Sequence, residues 1–537
     1  MEFLKKLDQK VENINKKWEL IIVVFLSAIL VFGIIIGMGT LTCGWHLVDD
    51  HQFLKWTYLL RCKGESLWEV LTGELAEDFS LRFRPAHVIT RVLEASLFGQ
   101  KLPFYSMVKA FEVVLCNIFL YYCGRRMGAK KIGSFLFAVL SLTGYQSATW
   151  WKLGTHEIQS TLLFAAGFYC MLRWLSEKKK KWAVSSIVLF FVMSNFKESF
   201  IMLAPFLVLY VLYSDLINQN SEESTKIGWK QLWMSVKNNL GYLSALIITF
   251  IIPLIVIIFF VGVNSYDTVG VDLSRPLENY AEAIGRAFQT DLKWYKRFGI
   301  IFLLILLTYW DDLKKLWKEI LLGIAFILPQ FVIYGETGIT ERYILPASIG
   351  FAFFFVIVIL KWKPLSGKRR MIYMLGLLLL LGAHGRAALR EADYFRYRGE
   401  SVTTMLESVL EMSKGEKNIL SCLRPNEEGN ATIYYWMAVH GFDNIYFWTE
   451  EEQTIDQIIT DRWLYAIDEE QDETTYAFED MDIVVMYNKE DRHWCYTPTL
   501  DLSDFKELKC GTLTVYVRND RGIDLVDSEI EGLRINF

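Results

Sequence analysis

The chain has 537 residues, 53% of them apolar and 22% charged, and a positive mean hydropathy. That excess sits in stretches long enough to cross a bilayer, which excludes an ordinary soluble enzyme. The formal charge of -5 conceals a split, because residues 1–390 carry 43 Lys and Arg against 29 Asp and Glu, whereas residues 391–537 carry 13 against 32. A basic membrane part followed by an acidic soluble part speaks of membrane topology rather than nucleic-acid binding.

In chain order, the first run is WELIIVVFLSAILVFGIIIGMG, about 22 residues after a Lys-rich start. It has no small-residue cleavage site and reads as a retained signal anchor. Eleven spans are predicted, near 18–40, 104–123, 132–150, 157–175, 182–196, 199–214, 240–262, 297–309, 318–334, 345–361 and 371–388. Their ends alternate so that GRRMGAKK, SEKKKKW, the loop around Lys226 to Lys237, DDLKKLWK and KWKPLSGKRR all fall inside with the Lys-rich N-terminus, as the positive-inside rule asks. The short pair 182–196 and 199–214 is read as a hairpin, because a single span would bury Lys197 and Glu198 in hydrocarbon at a cost of several kcal/mol.

An odd number of spans leaves residues 389–537 outside the cytoplasm, so the expected organisation is a transmembrane domain, 1–388, and an acidic extracytoplasmic domain, 389–537. The first outer segment, 41–103, is too polar to span. FLKWTYLL and AHVITRVLEASLF within it have the spacing of interfacial amphipathic helices. The tail mixes β-rich runs (NILSCL, DIVVMY, TLTVYVR) with the helical ATIYYWMAVHGF, which predicts a small α/β fold. The eight cysteines form no metal-binding or redox motif. Cys43 with Cys62, or two of Cys422, Cys495 and Cys510, could pair in an oxidising compartment.

The outer segments bring ionisable groups to one membrane surface from distant parts of the chain. Asp49 and Asp50 follow the first span. Arg82 and Arg84 come from LRFRP, Lys152, His156 and Glu157 from WWKLGTHE, Lys197 and Glu198 from NFKES, and Glu341 and Arg342 from ERY. Cations there would neutralise a lipid-borne phosphate while a carboxylate takes a proton from an acceptor hydroxyl. Blander readings stand beside these: a solvated helix exit for the aspartates, headgroup anchoring for the arginines, and a salt bridge closing the hairpin at Lys197 and Glu198. Trp150 and Trp151 read as an interfacial aromatic belt or a sugar-stacking platform.

The order of these motifs resembles the GT-C glycosyltransferases, closest to the branch of transmembrane TPR-type O-mannosyltransferases and their bacterial relatives. It runs from the Asp pair through RFRPAHVITRVLEASLFG and FKES before LAP to ERYILPASIG, over residues 15–390. The resemblance implies a catalytic carboxylate at Asp50 or Asp49, with the local pattern favouring Asp50. It places Arg84-Pro85 at the family's RP, Lys197 and Glu198 at its SKE, and Glu341, Arg342 and Tyr343 at the segment that holds the lipid phosphate. The sequence departs from the family where its HP..E segment reads TGYQSATWW, and the tail has no TPR repeats.

What the resemblance implies is a GT-C-like polytopic α-helical membrane protein with amphipathic helices in the first outer loop. Its expected function is inverting transfer of a sugar from a polyprenyl-phosphate carrier to an acceptor hydroxyl at the outer face of a bacterial plasma membrane. Asp50 or Asp49 is the expected base. Arg342, Arg84, Lys197, Arg82 and Tyr343 are expected at the donor phosphate, with Glu198, Glu341, Lys152, His156, Glu157 and Trp151 in support or on the acceptor side. No ligand set demands a metal, although Asp49 could hold a divalent ion. The acceptor is a glycan, a teichoic-type polymer, a lipid or a protein. The alternative is a transporter or flippase for a polyprenyl-linked sugar, which calls for polar residues at the membrane midplane and paired halves.

Overall fold

The structure is a computed structural model that describes residues 9–47, 49–219, 229–261, 278, 316–334, 341–358, 367–414, 417–423, 427–449, 454–456, 476–488, 498–526 and 530–535. It is mostly helical, with a mixed sheet near the C-terminus. Helix α1 (Lys16–Gly37) starts where the Asn15 side chain accepts the Trp18 amide at 3.0 Å. One stripe of it, including Val23, Val31 and Ile35, is buried, while Phe25, Ile29 and Ile36 are exposed. An apolar helix that leaves large side chains outside a packed core is suited to lipid. Four helices among the described residues are long and apolar enough to cross a membrane: Lys16–Gly37, Leu102–Arg126, Glu198–Ile217 and Leu240–Val261. The chain reads as a multi-pass membrane protein.

Three amphipathic helices follow α1: α2 (His51–Tyr58), α3 (Leu67–Leu81) and α4 (Pro85–Phe98). A capping box between Ser66 and Glu69 starts α3. Pro85 at the first position of α4 forgoes an amide that has no partner in a helix anyway. Of the helices that follow, α5 (Leu102–Arg126) packs against both α6 (Lys131–Leu142) and α7 (Glu157–Glu177), and α7 packs against α8 (Lys180–Ser194). A Cβ on Gly124 would come within 3.0 Å of the Ser134 backbone, so glycine is what lets α5 and α6 approach so closely. At the end of α1 remote from Asp49, Glu19 gathers Tyr121, Arg125 and Lys131.

Several predicted spans take a different form. The run 132–150 is a 12-residue helix followed by a 3-10 turn, Tyr145–Trp150, broken at Gly144, where φ is 113°. The expected hairpin is two helices, α8 and α9 (Ala204–Gln219), separated at Asn195–Lys197 and joined by a 3-10 turn, Glu198–Leu203. Next come α10 (Trp229–Asn238), α11 (Leu240–Val256), α12 (Trp317–Ile333) and α13 (Ala347–Ala352), the last continuing as a π-helix to Val358. The predicted span 297–309 lies outside the described residues. Cys43, Cys62 and Cys422 are free among the described residues, so the pairing of Cys43 with Cys62 is not formed, while Cys495 lies outside the described residues.

The expected boundary at 388/389 falls inside one helix, α14 (Gly367–Met412), whose 46 residues extend about 70 Å. It delivers the chain to a six-stranded sheet of order β3-β2-β1-β4-β6-β5. Strands β1 (Ile419–Cys422), β2 (Ile445–Thr449) and β4 (Ile483–Tyr487) are parallel. Strands β3 (Thr454–Asp456), β5 (Phe505–Cys510) and β6 (Leu513–Arg518) pair antiparallel. Every residue of β1 and β4 is buried, as suits parallel strands covered on both faces. Helix α15 (Glu427–Val439) connects β1 to β2 and packs on α2. One apolar cluster therefore runs from Trp45, Phe53 and Leu54, through Val402 and Leu406 of α14 and Ile433 and Trp436 of α15, to Val485 and Val515 of the sheet.

Arg396 of α14, fully buried, closes the chain end. It donates to Asp393 and Glu400 at 3.0 and 2.6 Å and to the Gly532 carbonyl at 2.7 Å, while the other Asp393 oxygen accepts the Ile535 amide at 2.7 Å. Arg396→Leu leaves Asp393 buried without its counter-charge. It is expected to cost about 3–5 kcal/mol, read as a lower Tm of the purified full chain.

Candidate active site

The two aspartates after α1 have opposite surroundings. Asp50 is fully buried, its Oδ2 accepting the His46 amide at 3.0 Å and its Oδ1 the Gly154 amide at 3.2 Å. It ties the loop after α1 to the loop before α7. Asp49 takes the left-handed region, φ 60°, and its side chain is 31% exposed. Its Oδ2 accepts from Arg342 Nη1 at 3.1 Å, and its amide donates to Glu428 Oε2 at 2.9 Å. Of the pair, Asp49 is the carboxylate open to a ligand, whereas the local sequence pattern favours Asp50. Both Asp50 oxygens are occupied by backbone amides, which is the reason for the difference.

Around Asp49 the cations are shared. Arg342, in the 3-10 turn Glu341–Ile344, donates to the Tyr343 hydroxyl at 3.2 Å and lies 3.8 Å from Glu157 Oε1. Lys197 reaches the same Glu157 oxygen at 3.2 Å and sits 5.4 Å from the centre of the Tyr343 ring. Tyr343 in turn packs on Tyr334, with ring centres 4.8 Å apart. Residues 49, 157, 197, 342 and 343 therefore meet at one place.

The other expected residues form a surrounding layer. Arg84 is held by Asp78, through Nη2 at 2.6 Å and through its own amide at 2.9 Å, and stands 4.0 Å from Glu198. Arg82 adds its positive field at Asp49. Lys152 pairs with Glu341 and lies over the Phe395 ring. His156 is buried against His87, ring centres 4.2 Å apart. Trp151, expected on the acceptor side, is 2% exposed and packs against Trp150 and Phe395. It has no free face for a sugar ring, and neither tryptophan forms an interfacial belt.

Sequence reasoning missed Asp78, His87, Gly154 and Glu428. A Cβ on Gly154 would lie 2.4 Å from the Asp49 Cβ. Beneath this loop the Thr155 carbonyl accepts from Arg91 at 2.6 Å and also from Lys109. Only Asp78 carried a local signal, six residues before the arginine it binds. Glu428 comes from the distal acidic tail, where nothing distinguishes it from its neighbours.

The electrostatics follow from this geometry. Burial alone would raise the Asp49 carboxyl, but Arg342, with His51, Arg82 and Arg84, outweighs it and brings it down to about 2. Burial pushes Asp50 up to about 7, with Asp49 adding to the rise and the two amides opposing it. Burial and the nearby Asp49 push Glu428 to about 8. Burial would lower Lys197, yet Glu157, Tyr334 and Tyr343 hold it above the usual lysine range. Among the described residues no group of three or more His, Cys, Asp or Glu side chains is arranged to hold a metal ion.

No family model matches the chain, and no curated protein sequence does. Several solved structures are similar. ArnT from Cupriavidus metallidurans, bound to undecaprenyl phosphate, aligns with a TM-score of 0.48 and 11% identity over 95% of this chain and 99% of its own. The Archaeoglobus fulgidus oligosaccharyltransferase aligns at 0.45 and 10% identity over 78% of this chain. The archaeal oligosaccharyltransferase AglB in complex with an inhibitory peptide and a dolichol-phosphate aligns at 0.42 and 12% identity over 79%. The alignments span 64% of each of these two archaeal chains. Likeness at this level assigns no residue a role.

Two expectations follow from the site. Gly154→Ala displaces the Asp49 backbone and is expected to destabilise by about 1–3 kcal/mol and to abolish the Asp49–Arg342 contact, seen as faster amide exchange over residues 46–51. The second concerns pH. Asp50 and Glu428 bind protons more tightly folded than unfolded, where carboxyls titrate near ~4, so their contribution is full below that pH and is lost progressively as pH rises to about 7 and 8. The Tm of wild type relative to Glu428→Gln should therefore fall as pH rises from about 5 to 8 and level off above it.

Proposed function

We propose that this chain is an inverting glycosyltransferase that takes a sugar from a polyprenyl-phosphate carrier and gives it to an acceptor hydroxyl at the outer face of the membrane. The observation that carries the reading is the meeting of Asp49, Glu157, Lys197, Arg342 and Tyr343, drawn from four separated segments, at the end of apolar helices. The motif order that resembles the GT-C enzymes includes Asp49, Lys197, Arg342 and Tyr343. Helices α3 and α4, whose junction carries Arg82 and Arg84, expose Trp68, Leu93 and Leu97, which suits a lipid tail approaching sideways.

In this reading Asp49 is the base and Asp50 holds the loop. At rest Asp49 is paired with Arg342 and is too weak a base. A lipid phosphate docking on Arg342 and Lys197 replaces Asp49 as the partner of the guanidinium, and the freed carboxylate regains basicity. The acceptor oxygen then attacks the anomeric carbon as Asp49 takes its proton. The carbon–phosphate-oxygen bond breaks, and the departing phosphate's charge is met by Arg342 and Lys197. The outer orientation of this end, with the N-terminus and the Lys-rich loops in the cytoplasm, belongs to the same proposal.

The test is mass spectrometry of polyprenyl-phosphate sugars in cells lacking the protein, complemented with wild type, Asp49→Asn or Arg342→Ala at matched protein levels. One lipid-linked sugar is expected to build up without the protein and to clear with wild type. Asp49→Asn should slow turnover by ~10²–10⁴-fold, and Arg342→Ala should weaken undecaprenyl phosphate binding by about 10- to 100-fold. Full clearance by Asp49→Asn would remove the base assignment. An unchanged lipid pool in the null cells would point instead to transport or another substrate.

A further inference from the structure

We propose that Glu428, carried by the α/β domain, is a positioning residue of the membrane-face site: by accepting the Asp49 amide it holds the left-handed turn that aims the Asp49 carboxylate at Arg342. The assignment relies on the function proposed above for which reaction it serves, but the hydrogen bond stands apart from that function.

A non-glycine residue at φ 60° is strained by roughly 1–2 kcal/mol, and such a residue persists only where its surroundings over-determine it. Three features do so here. Gly154 leaves the space beside the Asp49 Cβ that any side chain there would fill, Arg342 holds the Asp49 carboxylate, and Glu428 accepts its amide at 2.9 Å. Asp49 also gives its carbonyl to the start of α2, where the Gln52 amide lies 3.4 Å away. Its own amide points out of that helix toward α15, so without Glu428 it would be a partly buried donor with nothing to donate to.

The source of the acceptor matters. Glu428 is the second residue of α15, 379 residues from Asp49, and α15 is docked on α2 immediately behind the aspartates. Trp45 meets Trp436 at 6.4 Å, and Tyr58 meets Tyr435 at 6.1 Å. This contact fixes the height of the α15 N-terminus over the turn. A buried acidic side chain beside two aspartates is costly to place, its proton held by burial and by Asp49, and an interface that needed only packing would not put one there. The α/β domain is thus part of the site's geometry, and loosening its seat on α2 releases Asp49.

The experiment uses the full chain in lipid nanodiscs. Hydrogen exchange is followed on peptides covering residues 46–51 and, as a docking control, residues 53–58 and 433–437. Glu428→Ala should speed exchange at 46–51 by about 10-fold or more while the control peptides stay protected. Glu428→Gln, whose amide oxygen still accepts the bond, should exchange like wild type. In complemented cells the lipid-linked sugar that accumulates without the protein should stay high with Glu428→Ala and clear with Glu428→Gln. Should Glu428→Ala fail to fold, Glu428→Asp, one methylene too short to reach, is read the same way.

Unchanged exchange at 46–51 in the truncated variant overturns the proposal. So does joint exposure of the control peptides that Glu428→Gln does not rescue, since that marks a packing role, and so does normal turnover with an opened loop. A lipid pool indifferent to Asp49→Asn would bring down the glycosyltransferase reading alone, and the exchange data would still decide whether Glu428 holds the turn.

Discussion

The contact between Asp49 and Arg342 is the one on which the site depends. Both side chains are partly open to solvent, 31% and 18%, and an ion pair so exposed contributes little to folding. Its importance lies in what it arranges. It holds a carboxylate and a guanidinium face to face at the end of a helical bundle, with Glu157 and Lys197 beside them, so that charge in the site is nearly balanced until an anion arrives. In the proposed reaction, a phosphate entering this set would meet cations already gathered and already charged, with the Asp49–Arg342 pair the one to be exchanged.

Support for that contact comes from two directions. From the membrane side, Asp50 is tied by the amides of His46 and Gly154, and the loop carrying Gly154 is held through the Thr155 carbonyl by Arg91 and Lys109. From the other side, α15 rests on α2 and Glu428 reaches the Asp49 amide. The apolar cluster that joins α2, α14, α15 and the sheet is continuous, and no linker separates the parts because α14 passes through both without a break. A cap joined by a flexible tether could not set a backbone turn in this way.

Much of the architecture was legible because it is written in short-range chemistry. The apolar 22-residue run after a capping Asn is a helix, the period of FLKWTYLL and AHVITRVLEASLF marks two more, and the β-branched runs of the tail are strands β1, β4 and β6. The residues at the centre of the site were also named in advance, since charged groups beside apolar runs are costly and therefore conspicuous. The division of labour between Asp49 and Asp50 was not legible. Adjacent identical residues differ only in backbone angle and in distant partners, and neither leaves a trace in the local pattern. Trp151 misled for a related reason, because an aromatic at a membrane end looks the same whether it faces lipid, sugar or the protein core.

The sequence by itself determined the apolar helices, the mixed α/β character of the acidic tail, and most of the ionisable groups that meet around Asp49. Each of these follows from hydropathy and spacing within a few turns of chain. Only the tertiary structure decided which aspartate is presented, that Arg84 is engaged by Asp78, and that a glutamate of the tail completes the turn at Asp49. Those outcomes depend on hydrogen bonds and close approaches between residues up to 379 positions apart. No local preference encodes such contacts, because they exist only once the helices have packed.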